Sequence, residues 1–91
     1  GERAVALGLA SEVADDPYAA GLALLDQVAT RSPDAVAASK RIFDQSWVAG
    51  ADETFARERA EQVVLLDAPN TAVAQHLSMG GEARTYGPRL R

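Results

Sequence analysis

The side chains able to do chemistry in this chain are few, and their spacing restricts what that chemistry would be. There is one histidine, His76, and no cysteine, so thiolate catalysis and cysteine-based metal binding are excluded. Nucleophilic catalysis through His76 requires a serine or threonine beside it and a third group to orient the ring. Ser78 lies two residues further on, which on a helix points in a different direction. No HExxH or comparable ligand spacing surrounds the histidine, which leaves it a surface or interface role. Acidic residues are plentiful, but ordinary helix-surface pairing accounts for Asp44, Glu53, Glu58 and Glu61, and none has the second partner a general acid needs. Gly80-Gly81 lacks the flanking pattern of a phosphate loop. No catalytic residue and no metal ligand is assigned from the sequence.

The basic residues leave more open. Lys40 borders the polar arc of an amphipathic segment, where its stem covers apolar surface and its ammonium stays in water; the other reading is a phosphate contact. Arg41 falls fully on the polar arc. Arg59 sits within an apolar face, either as a rim position or as half of an ion pair between packed helices. Arg84, Arg89 and Arg91 lie close together in the tail. They belong either to a disordered, solvated terminus or to a site for a phosphorylated ligand, whose oxygens a guanidinium matches two at a time.

The elements that would position these residues are helical. Glu2 to Leu7 reads as the last turns of a helix stopped by Gly8, and "LASEV" alternates weakly enough to suggest a short extended piece. Asp16 before Pro17 is a cap followed by a proline at the first helical position, opening a helix to about Arg31. Its stripe is Tyr18, Leu22, Leu25 and Ala29. Ser32-Pro33 repeats the signal and opens "SPDAVAASKRIFDQSW". There Ala35, Val36, Ala38, Ser39, Ile42, Phe43, Ser46 and Trp47 share one arc, and Asp34, Lys40, Arg41, Asp44 and Gln45 the other. Gly50 separates this helix from the next, whose apolar face is Phe55, Ala56, Ala60, Val63 and Leu66. Glu53 with Arg57, and Glu61 near Arg57, supply surface pairing there. Asn70 is placed to cap a short helix from Thr71 to about Met79, ended by "MGG".

These signals predict an all-α fold of three main helices plus a short C-terminal one. Residues 1–16 form a helix end and extended linker, 17–79 the helices and 80–91 an irregular tail, within one helical domain of 1–91. A chain of 91 residues buries only about 60–65% of its unfolded surface on folding. The hydrophobic fraction is 47%, but much of it is alanine, which buries little area per residue. A net charge of −4 and a pI near 4.8 argue against a nucleic-acid or anionic-membrane surface. No apolar run approaches the roughly 20 residues a membrane span requires, and absent cysteine accords with a cytoplasmic setting. The opening "GERAVALGLA" has no initiator methionine and begins inside an apolar pattern, as a piece of a longer protein would.

The order of segments resembles the C-terminal part of the crotonase superfamily, the enoyl-CoA hydratases and isomerases. "GERAVALGLASEVADDP" looks like the family's alanine-rich helix ending in Gly-Leu. "LALLDQVATRSPDAVAASKRIFDQSW" is similar to the following helix pair with its Ser-Pro junction and downstream Lys-Arg. "FARERAEQVVLLDAPNTAVA" resembles the next helix and its turn. The likeness implies an upstream β/α core that binds acyl-CoA, with an oxyanion hole of two backbone N–H groups and one or two carboxylates for proton transfer. The C-terminal helices pack on that core, build contacts between subunits of a homo-oligomer and close the acyl pocket. It implies no catalytic residue in this chain, because those positions lie upstream. The tail "MGGEARTYGPR" has Gly80 where a phenylalanine is common in the family and Ala83 in place of a lysine. Arg84 and Tyr86 are then the implied contacts to the coenzyme A of the substrate. The other reading is a stand-alone helical protein–protein interaction module without catalytic activity. An independent small enzyme has no supporting constellation of residues.

Overall fold

The computed structural model describes residues 1–91. It contains five helices and no strand: α1 (Glu2–Ala6), α2 (Pro17–Ala29), α3 (Pro33–Ser46), α4 (Ala51–Leu66) and α5 (Pro69–Ser78). The fold class is all-α, with three main helices and a shorter one near the C-terminus, as the periodicity predicts. "LASEV" forms bends and coil rather than a strand.

Local signals set most of the helix ends. Asp16 caps α2, its side chain accepting from the Ala19 N–H at 3.0 Å, and Pro17 takes the first helical position. Ser32 does the same for α3, accepting from the Ala35 N–H at 3.5 Å, with Pro33 following. At the other ends, α1 and α5 each stop in a glycine with φ near +75°, at Gly8 (+73°) and Gly80 (+76°). After Gly80, the Gly81 N–H reaches back to the His76 carbonyl and the Gly80 N–H to the Leu77 carbonyl, at 3.0 and 3.1 Å. Gly8 and Leu9 make the same two bonds to Val5 and Ala4. This paired closure needs a left-handed residue, which glycine adopts without a Cβ clash.

The cap of α5 differs from the sequence reading. The helix begins at Pro69, one turn earlier than expected, behind Ala68, which offers no side-chain cap. Asn70 therefore lies inside the first turn and its side chain is turned elsewhere. The Thr71 hydroxyl donates to the Leu65 carbonyl, tying the end of α4 to the start of α5.

Packing between helices is sparse. Of 54 backbone hydrogen bonds, 38 are internal to helices, so secondary structure is held mainly from within. Only α3 and α4 lie against each other over a substantial length. Five residues are buried: the alanines Ala38 and Ala68, and the polar Ser32, Asp34 and Asn70. No large side chain is fully buried. The accessible surface is 7295 Å², whereas a compact monomer of this mass exposes about 5,100 Å². The radius of gyration is 16.3 Å, against about 12 Å for a compact chain of this length.

The left-handed closure of α5 makes a stability prediction. Gly80→Ala is expected to lower stability by about 1 kcal/mol, the penalty of a Cβ in a left-handed residue. Gly21 sits inside α2 with open space around it, so Gly21→Ala is expected to raise helicity and stability by up to about 1 kcal/mol. Urea titrations followed at 222 nm compare the two; equal and same-signed shifts would contradict the assignment.

Candidate functional site

The most organised part of the molecule is where the C-terminal tail crosses α3, α4 and α5. Asp34, in the first turn of α3, is 4% exposed. One of its carboxylate oxygens accepts from the Leu90 N–H at 2.6 Å and the other from Asn70 Nδ2 at 2.8 Å. Asn70 also receives the Gly87 N–H on Oδ1 at 2.8 Å and donates to the Gly87 carbonyl at 3.2 Å. The tail is irregular in conformation yet anchored at Gly87 and Leu90, with Arg89 between the two anchors.

A second carboxylate anchors its end. Glu61 on α4 receives Arg41 Nε at 3.0 Å and Nη2 at 2.8 Å, a two-pronged pair between α4 and α3. The same carboxylate accepts Arg91 Nη2 at 3.0 Å, and Arg41 Nη1 donates to the Arg91 carbonyl at 3.2 Å. The Arg41 hydrogen bond is the main force holding the Glu61 carboxyl at about 2, below its ordinary 4.5; Arg91 acts in the same direction and partial burial opposes both. Conversely, the hydrogen bond to Glu61 raises the Arg41 guanidinium above its ordinary value.

This cluster differs from what the wheel suggests. Arg41 and Asp34 both fall on the polar arc of α3, yet Asp34 is buried and Arg41 half-buried. Glu61 joins Arg41 and Arg91 rather than Arg57, which pairs with Glu53 at 2.6 Å and reaches Gln45 on α3 at 2.8 Å. Arg59 is exposed and enters no ion pair, so of its two readings the rim position applies. Lys40 pairs with Asp44 one turn on, at 2.8 Å, with both side chains in solvent.

Anchoring the tail shapes a groove of about 620 Å³ between the end of α2, one side of α3 and the tail. Its floor includes Val28 and Val36, Tyr86 lies along it, and Arg31, Lys40 and Arg89 stand at its margin. Arg84 is not part of it: it lies in a separate shallow cleft with Val73 and Thr85. Tyr86 and Arg84, the two coenzyme contacts implied by resemblance, therefore line different clefts. His76 is half-buried, and Gly81 passes so close to its ring that a Cβ there would run into it. No group of three or more His, Asp or Glu side chains converges in a metal-ligand arrangement.

On the other side of α3 lies a second groove of about 470 Å³, lined by Ile42, Phe43 and Trp47 with Thr54 and Glu58 of α4. Phe43 is 69% exposed and Trp47 85%. No family model matches the chain, nor does any curated protein or solved structure. The functional reading therefore rests on the geometry and on the motif resemblance alone. Neither groove brings together a nucleophile, a base and an orienting group. What the molecule offers is surface: two grooves and an apolar α2, whose one charged residue is Asp26.

The anchored carboxylate has a pH signature. Because Glu61 titrates lower in the folded chain than in the unfolded one, its contribution is complete above pH 4.5 and disappears as pH falls toward about 2. Glu61→Gln is expected to be less stable than wild type at neutral pH and to show a shallower loss of stability across that acid interval. Melting curves at a series of pH values test this; parallel curves for the two proteins would mean the ion cluster does not support the fold.

Proposed function

We propose that this chain is the C-terminal oligomerisation and acyl-CoA-pocket-closing region of an enoyl-CoA hydratase/isomerase-like enzyme, acting on a core that lies upstream. The observation that carries the reading is the mismatch between surface and mass. About 2,200 Å² is exposed beyond what a compact monomer of this size shows. A standard interface buries about 800 Å² per partner, so the excess suits more than one contact. Much of it is apolar side chain on α2, α3 and α4, including Tyr18, Leu25, Trp47 and Phe55. Helices that leave such faces open are built to cover, and be covered by, another surface.

On this reading the parent is a cytoplasmic homo-oligomer. The oxyanion hole and the acid–base carboxylates belong to the core, so the isolated chain is inactive. Arg84 and Tyr86 contact the coenzyme of the parent's acyl-CoA substrate. The stand-alone interaction module calls for helices that satisfy one another, and the open apolar faces speak against that.

Light scattering behind size exclusion, across a concentration series, tests the proposal. A dimer or larger species is expected, and crotonyl-CoA is expected to remain unturned by the same preparation. A mass of 9.6 kDa at every concentration would favour the stand-alone module, and turnover above a buffer blank would refute inactivity in isolation.

A further inference from the structure

The groove between α2, α3 and the tail carries a charge pattern that the interface reading does not use. The chain as a whole is acidic, with a net charge of −4, yet the groove is lined by Arg31, Lys40, Arg41 and Arg89 and by no carboxylate. Two of these cations are already neutralised, Arg41 by Glu61 and Lys40 by Asp44. Arg31 and Arg89 are in no ion pair, and neither side chain donates a hydrogen bond within the chain. They are free to meet an anion from outside.

Their backbones are also fixed. Arg31 follows α2 directly, with its N–H on the Val28 carbonyl at 3.0 Å, and precedes the Ser32 cap of α3. Arg89 is held between the Gly87–Asn70 and Leu90–Asp34 bonds. Two forked donors on anchored backbone lose less freedom on binding than donors on a loose tail. The Lys40 ammonium beside them adds a third donor able to exchange Asp44 for a stronger anion. Arginine forks match the paired oxygens of phosphate, and two of them with a lysine suit a doubly phosphorylated group better than a single carboxylate. Next to the cations lie the half-buried ring of Tyr86 and the valine floor, which suit a flat or apolar portion of the same ligand. A volume of about 620 Å³ falls within the usual range for small-molecule sites, about 300–1,000 Å³.

We infer that this groove is a binding site for a soluble nucleoside diphosphate or a compound containing one, with the diphosphate on Arg31 and Arg89, supported by Lys40, and the flat group against Tyr86. The site is complete within one chain, so it stands whether or not the chain belongs to an acyl-CoA enzyme.

Titration of the full chain with ADP, followed by calorimetry and by amide resonances, tests the assignment. Saturable binding is expected, shifting the amides of Arg31, Tyr86, Gly87 and Arg89, and weakening with added salt. Arg31→Gln and Arg89→Gln are each expected to weaken it about tenfold, the loss of one charge-assisted contact. Arg84→Gln, in its separate cleft, should leave the affinity unchanged. Asp34→Ala separates two causes: removing a negative charge near the groove would tighten binding by electrostatics alone, whereas unseating Arg89 weakens it, and weakening is expected. Pyrophosphate should bind less tightly than ADP, because it leaves Tyr86 unused. Absence of saturable binding, indifference to Arg31→Gln and Arg89→Gln, or an equal loss in Arg84→Gln would overturn the site. A monomeric mass would leave these results intact, so failure of the oligomerisation reading and failure of the site are separable.

Discussion

The Asp34 carboxylate, closed off from solvent and holding both the Leu90 N–H and Asn70, is the point on which the arrangement of this chain depends. It joins three pieces that touch one another little otherwise: the start of α3, the start of α5 and the tail. A buried carboxylate is tolerated only where its oxygens receive donors, and here one donor comes from each of the other two pieces. Removing either would leave a buried charge short of a partner, so the three pieces are coupled. The Glu61–Arg41–Arg91 cluster repeats the logic between α4, α3 and the last residue. Position is set in this molecule by polar bonds, because a core of two alanines cannot set it.

That reliance on polar contacts turns α3 around. Its buried stripe is Asp34 and Ala38, continued by the half-buried Arg41 and Ile42. Phe43 and Trp47 lie in the open. In a self-sufficient domain the aromatic side would be inward, since burying such a side chain contributes roughly 1.5–3 kcal/mol. Here the charged side faces the rest of the chain and the aromatic side faces away. The same holds for α2, nearly uncharged along its length and exposed at Tyr18, Leu24 and Leu25.

The division between what was legible in the sequence and what was not follows the range of the interactions. Asp16-Pro17, Ser32-Pro33, Gly8 and Gly80 act within one helical turn, and each could be read from its neighbours in the chain. Asn70 looked like a cap by the same local logic, but its partners are Asp34, 36 residues away, and Gly87, 17 residues away. Arg41 lies on the polar arc of its helix, as the wheel shows, and the wheel cannot say that Glu61 and the tail cover that arc. A tail that is irregular and arginine-rich reads as solvated. Only the two carboxylates, both ordinary surface residues by spacing, make it a structural strap. The grooves were illegible for the same reason, since each is bounded by segments far apart in sequence.

The strap then has two consequences of opposite kind. By taking up the polar arc of α3, it leaves the aromatic arc as the surface open to association, so packing within the chain and packing between chains occupy different sides of one helix. By fixing Gly87 and Leu90, it suspends Arg89 opposite Arg31 across an apolar floor, so that repulsion between two cations is held in place by hydrogen bonds rather than relieved by movement of a free end. Two like charges kept at one groove by covalently and sterically fixed backbone are stabilised most simply by an anion between them. The anchoring carboxylate cannot serve as that anion, because both its oxygens are already engaged with Asn70 and Leu90. The interaction that organises the chain is thus also the one that leaves its cationic groove unsatisfied.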